Sequence, residues 1–265
     1  MAEHHTEPWY PTAAYLYVLH LDGPELAWEY LRRNPDYRLD WLRRHRRPQA
    51  AAQPVAHRWG LRLLEDPALD ARDAHPAWFP DHDDVLQLYP DADPPMDALV
   101  FAFWSLPGSK CLIHDGKRLM LVLRRPGYSL RLAIAPGLAD GMAFAYAIRA
   151  CAQLQGLTAM LQKLATTADA SPAAAASVRP SPSALQELHT LQALDATLAG
   201  ASLRVIAEGL FGGDAAADWY SDGGLRSKVR RLARRGDALM RGGYRRLAQL
   251  PPLEKGRFEG TAKRP

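Results

Sequence analysis

The stretch Gly224-Leu-Arg-Ser-Lys-Val-Arg-Arg-Leu-Ala-Arg-Arg-Gly236 decides how the rest of the chain is read. At about 100° per residue on a helix, Leu225, Val229, Leu232, Gly236 and Leu239 fall on one narrow stripe. Arg226, Arg230 and Arg234 project from one flank and Lys228, Arg231 and Arg235 from the other. One side packs; the rest is cationic. Gly224 to Arg246 holds nine basic residues against Asp237 alone, which is +8 in 23 positions. Gly236 costs about 1 kcal/mol relative to Ala inside a helix, and Gly242-Gly243 marks a stop. Tyr244-Arg245-Arg246-Leu247 then forms a last turn, one that touches the backbone of a nucleic acid or closes the core.

Two shorter helices precede this one. Ser183 with Gln186 reads as a capping box opening a helix whose stripe is Leu185, Leu188, Leu191, Leu194 and Leu198, ending at Gly200. Ser202 caps a second helix, Leu203 to Phe211, and Gly212-Gly213 ends it. Two packed helices presenting a third, basic one is the arrangement that lays a helix in the major groove. The connection Gly212 to Gly224 spans 13 residues, longer than the three or four of a standard helix-turn-helix. Trp219 and Tyr220 are expected to pin it to the core. On this reading Arg226, Arg230, Arg231 and Arg234 contact duplex DNA, with arginine able to read guanine edges. Lys228, Arg235, Arg245 and Arg246 meet phosphates.

Charge is uneven elsewhere too. Arg32 to Arg47 carries seven Arg against Asp36 and Asp40, while Glu65 to Asp97 carries ten acids and only Arg72. Such a dipole suits a polyanion on one face and protein on another. Asn34-Pro35 predicts a capped helix through about Arg47, and Pro24 a helix over Glu25 to Arg33. A further helix is expected over His57 to Glu65, stopped by Asp66-Pro67. The six prolines of residues 67–97 suggest an irregular connector. Lys110 to His114 and Lys117 to Arg124, joined at Asp115-Gly116, read as a hairpin. Pro126-Gly127 turns into a strand over Ser129 to Ala135, and Ala98 to Trp104 could add another. A long helix is expected from about Ala139 to Ala165. Residues 165–183 are 14 of 19 Ala, Ser or Pro, a linker composition.

The organisation expected is therefore 1–67 helical, 68–97 acidic connector, 98–166 β-meander plus helix, 167–183 linker, 184–250 helix-turn-helix and 251–265 tail. The fold class is α+β, mainly α. With 265 residues, 48% hydrophobic, the chain can bury sizeable cores. No apolar run approaches a membrane span, and no signal-peptide pattern opens the chain. Cys111 and Cys151 cannot build a disulfide framework, which fits a cytoplasmic setting. Gly108-Ser109-Lys110 lacks the upstream glycine of a phosphate loop. Asp81-His82-Asp83-Asp84 lacks the spacing of a calcium loop, and His114-Asp115 is explained by the turn. No enzyme, cofactor or metal site is expected.

The run Leu191 to Gly212 (LQALDATLAGASLRVIAEGLFG), with Asp218-Trp219, Leu225 to Gly236 and Gly242 to Leu247, resembles a proteobacterial family once filed as a domain of unknown function. The family is also labelled a type VI secretion transcription factor DNA-binding domain. Leu26 to Arg38, Arg58 to Arg62 and Asp66-Pro67 resemble the transcriptional-regulator domain that accompanies it. The resemblance implies an extended-turn helix-turn-helix found in activators and antiactivators of conjugative-element transfer. Its basic side meets DNA and its opposite side the N-terminal domain. Antiactivators lack that domain and carry a negative surface, so this chain looks like an activator, with RNA polymerase and an antiactivator as expected protein partners. A nucleoid-associated regulator of a mobile element is the function expected. The rival is an adaptor or antiactivator whose basic helix meets an acidic protein.

Overall fold

The computed structural model describes residues 9, 11–44, 49–79, 85–106, 108–114, 118–125, 128–147, 181–214, 219–220 and 223–251. The turns at Asp115-Gly116 and Pro126-Gly127, the Asp81–Asp84 loop, Cys151, the Ala/Ser/Pro stretch up to residue 180 and most of the 251–265 tail lie outside them. Among the described residues the chain is α+β, with seven α-helices and one five-stranded mixed sheet.

A 3-10 helix, Thr12–His20, leads into α1 (Gly23–Leu31), α2 (Pro35–Leu42) and α3 (Gln49–Arg58). The sheet strands are β1 (Val85–Pro90), β2 (Ser109–His114), β3 (Leu119–Arg125), β4 (Tyr128–Ile134) and β5 (Phe144–Ala147). Then come α4 (Pro182–Leu198), α5 (Leu203–Phe211) and α6 (Gly223–Ala238). A π-helical turn, Leu239–Gly243, joins α6 to α7 (Tyr244–Leu247).

Local chemistry explains the starts. Asp22 caps α1 in a reciprocal box with Glu25, each side chain accepting the other's backbone N–H. Asn34 Oδ1 accepts the amides of Asp36 and Tyr37 at 2.9 and 3.2 Å, and Pro35 loses nothing at the first helical position. α2 ends at Leu42, short of Arg47. The helix expected over His57 to Glu65 is not there: α3 ends at Arg58. Gly60, at φ +76°, closes it with Leu61 N–H donating to Ala56 O and Gly60 N–H to His57 O. That left-handed glycine cap turns Leu61 away to bridge Trp78.

β2, β3 and β4 run as successive antiparallel neighbours, the expected meander. The sheet order β2-β3-β4-β1-β5 adds β1 parallel to β4 and β5 antiparallel to β1. β1 therefore comes from the stretch expected to be an irregular connector. Its two-residue period buries Leu86 and Leu88 against one face despite the surrounding acids. Phe144–Ala147 is strand where the start of a long helix was expected, and Ala98 to Trp104 gives only a bridge at Val100 and a short 3-10 turn. Leu121, Leu123, Leu130 and Leu132 complete the core on the sheet.

A different cluster joins the two ends of the chain. Trp28, Tyr30, Tyr37 and Trp59 from the N-terminal helices are buried together with Leu191, Leu194, Val229, Met240 and Tyr244. Tyr244 Oη donates to Trp59 O at 2.9 Å, Asn34 Nδ2 to Met240 O at 3.1 Å, and Gln192 Nε2 to Trp9 O at 3.1 Å. α4 is its centre, which is why Thr190, Gln192, Ala193 and Ala196 are buried as well as the expected leucines. Leu185 and Leu198, the outer members of the expected stripe, lie exposed near its ends. Between the two cores, Arg131 of β4 donates two hydrogen bonds to the Asp22 carboxylate, at 2.9 and 3.3 Å.

Candidate nucleic-acid interface

α6 is held from one side and open on the other. Val229 is fully buried, Leu232 and Leu239 are nearly so, and Leu225 is half-buried. Gly236 lies so close to α4 that a Cβ there would stand 2.9 Å from Leu194 Cβ and 3.2 Å from Thr190 O. The glycine is thus a contact point between helices, where sequence reading saw a weak helix position.

On the outer side Lys228, Arg230, Arg231 and Arg234 are exposed and Arg226 is half-buried. Like charges at i, i+4, such as Arg226, Arg230 and Arg234, destabilise an isolated helix by about 0.2–0.5 kcal/mol per pair. Burial of the inner stripe against α4 and α5 therefore holds the helix, and the cationic row is carried by that packing. Among the described residues no carboxylate lies within ion-pairing distance of Arg226, Arg230, Arg231, Arg234 or Arg246.

Lys228, though exposed, also leans on an aromatic ring, and the remaining basic side chains except Arg246 are already engaged. Lys228 Nζ sits 4.3 Å from the centre of the Phe211 ring, whose edge also meets His189 at 5.4 Å between ring centres. Burial, with Lys228 adding to it, holds the His189 imidazole below its ordinary pKa. Arg235 pairs with Glu187 of α4, and Arg241 with Asp237 at 2.8 Å. Arg245, expected on a phosphate, is turned inward: it is buried, and its Nε donates to Pro251 O at 2.7 Å. α7 packs on α1, so its Tyr244–Arg245 side belongs to the core and leaves Arg246 exposed. Trp219 is buried and anchors the long connection; Tyr220 stays exposed, with Arg204 over its ring.

Between α4 and the N-terminal helices lies a polar network that sequence reading did not single out. Arg33 donates to both Asp195 oxygens, at 2.6 and 2.8 Å, and to Glu29. Tyr15 Oη donates to Asp195 at 2.7 Å and Tyr30 Oη to Glu187 at 2.6 Å. One signal was available. α4 carries two carboxylates, Glu187 and Asp195, and no Lys or Arg, so a permanently charged partner for them must come from another element.

Three family models match the chain. One described as a T6SS transcription factor DNA-binding domain covers residues 135–249, which takes in β5 and α4 to α7. A proteobacterial transcriptional regulator-like domain covers residues 8–63, and a domain of unknown function covers residues 83–130, from β1 into the start of β4. These matches indicate a DNA-binding transcriptional regulator. No curated protein and no solved structure matches the chain. No helix among the described residues is long and apolar enough to cross a membrane.

Proposed function

We propose that the chain is a sequence-specific transcriptional activator that lays α6 in the major groove, acting on genes of a conjugative element in the bacterial cytoplasm. One observation carries the proposal. Arg230, Arg231 and Arg234 stand exposed, without a carboxylate partner among the described residues, on a helix whose other side is packed. Arginines so placed gain from phosphates through counterion release and from guanine edges through bidentate bonds. Arg226 and Lys228 flank them, and Arg246 supplies a further phosphate contact. Activation rather than antiactivation is supported by the match at residues 8–63, since the antiactivators of the resembling family lack that domain. The conjugative setting comes from the same resemblance.

The test is a gel shift on fragments selected by the wild-type chain from genomic DNA. Arg230→Ala with Arg234→Ala should abolish the shift while leaving the circular dichroism spectrum unchanged. Undiminished binding by the double variant removes α6 from the recognition role. Binding to an acidic protein, with no duplex bound even at low salt, would replace the activator by the adaptor reading.

A further inference from the structure

Arg235 stands between Arg234, which points to solvent, and Gly236, which touches α4. Its own guanidinium bonds to Glu187 Oε1, while Tyr30 Oη of α1 donates to the other oxygen, Oε2, at 2.6 Å. Tyr30 is fully buried, and the Glu187 side chain is 10% exposed against 39% for Arg235. A single carboxylate thus joins the N-terminal helices to the flank of the basic helix. Neither oxygen has an easy substitute donor, because water reaches Glu187 poorly and Tyr30 is locked in the aromatic core. At about 100° per residue, anchoring one flank residue sets the roll of the whole helix about its axis. Arg231, one turn earlier on that flank, and Arg234 beside it are aimed by that roll.

We propose that Arg235 does not touch DNA, and that Tyr30, Glu187 and Arg235 form a positioning relay through which the N-terminal helices set the angle at which α6 presents its arginines. This rests on α6 being the DNA-reading helix. It reassigns Arg235 from phosphate contact to orientation, and makes the N-terminal helices part of the recognition unit.

A phosphate contact and a positioning residue differ in their salt dependence. Losing one phosphate contact makes the slope of log K against log salt shallower by about 0.9 and weakens all sequences alike. Losing orientation leaves the number of phosphates nearly unchanged and erodes the preference for the right sequence. The experiment is fluorescence anisotropy of the full chain with two labelled duplexes, one selected by the wild type from a random pool and one scrambled to the same composition, across a salt series. Tyr30→Phe and Arg235→Ala are each expected to lower the selected-to-scrambled ratio about tenfold, the factor that ~1.4 kcal/mol represents. The salt slope should stay within experimental error of wild type.

Thermal unfolding of each variant accompanies the measurement, and Glu187→Gln serves as a third probe of the same carboxylate. If Arg235→Ala makes the slope shallower by about 0.9 and keeps the ratio, Arg235 is a phosphate contact and the relay is overturned. A Tyr30→Phe variant with the wild-type ratio overturns it as well. If the wild type itself selects no duplex, it is the DNA-binding reading that fails, which these outcomes keep distinct.

Discussion

Replacing Arg33 by Met tests whether the two ends of the chain are joined by a buried charge network. The guanidinium is 6% exposed, chelates Asp195 with two bonds at 2.6 and 2.8 Å, and also pairs with Glu29, whose side chain is fully buried. Met fills much of the same volume but leaves two carboxylates without their main partner. Breaking a buried pair by removing one member costs about 3–5 kcal/mol, against about 0.2–1 kcal/mol for an exposed one. Asp195 is 24% exposed, so water relieves part of the loss and about 3 kcal/mol is the better expectation. That is a large share of a total stability of about 5–15 kcal/mol. With a urea m-value of about 2 kcal/mol/M, the midpoint should fall by about 1.5 M.

The pH dependence sharpens the test. Burial raises the pKa of both Glu29 and Asp195, but the guanidiniums of Arg33 and Arg32 outweigh it and hold both below the usual carboxylate range. In the wild type their stabilisation is present above that range and lost only as pH falls through the depressed values. Without Arg33 burial dominates, the folded-state values rise, and the penalty is greatest where the carboxylates must stay ionised. The gap between wild type and variant should therefore narrow as pH is lowered from about 7 to about 4. A midpoint change below about 0.5 M, or a gap that widens in acid, would refute the network as a buried one.

Gly236→Val should destabilise the protein by about 1–3 kcal/mol through overpacking against Leu194 and Thr190, read as a lower thermal midpoint. A rise in the midpoint, the outcome for an exposed helical glycine, would contradict the close approach of α4 and α6. His189, whose pKa is depressed by burial and by Lys228, binds its proton more readily unfolded than folded. Stability should therefore fall as pH drops below the ordinary histidine value of 6.5, and His189→Gln should flatten that fall in denaturant titrations across this window. An unchanged pH profile in the variant would count against the Phe211–His189–Lys228 arrangement.

Signals carried by neighbouring residues were legible in the sequence. Ser202 and Gly212 bound α5 at Leu203–Phe211 as read, and the Asn34-Pro35 cap opens α2. The inner stripe of α6 is buried as its period requires. The first turn of α4 starts earlier than its capping box suggested, because Ser181 Oγ accepts Ala184 N–H and Pro182 takes the first position. Features set by distant partners were not legible. Arg245 faces the core because α7 docks on α1; its turn allowed either closing the core or touching nucleic acid, and nothing within it decides between them. β1 looked irregular because the acids and prolines around it outweighed a short alternation. Gly60 was hidden in a run of Trp and Leu that mimics a helix, although a glycine two residues after Arg58 is the ordinary stop. Arg33 sits in a block of seven arginines, and only the folded chain separates it, buried, from the exposed Arg38 and Arg43.

The salt dependence of duplex binding by the intact chain tests the central claim most directly. Six cations are available on and beside α6: Arg226, Lys228, Arg230, Arg231, Arg234 and Arg246. Each phosphate neutralised contributes about −0.9 to the slope of log K against log salt, so this face predicts a linear fall with a slope between about −3 and −5. Binding that ignores salt, or no duplex binding at all in dilute buffer, would contradict it.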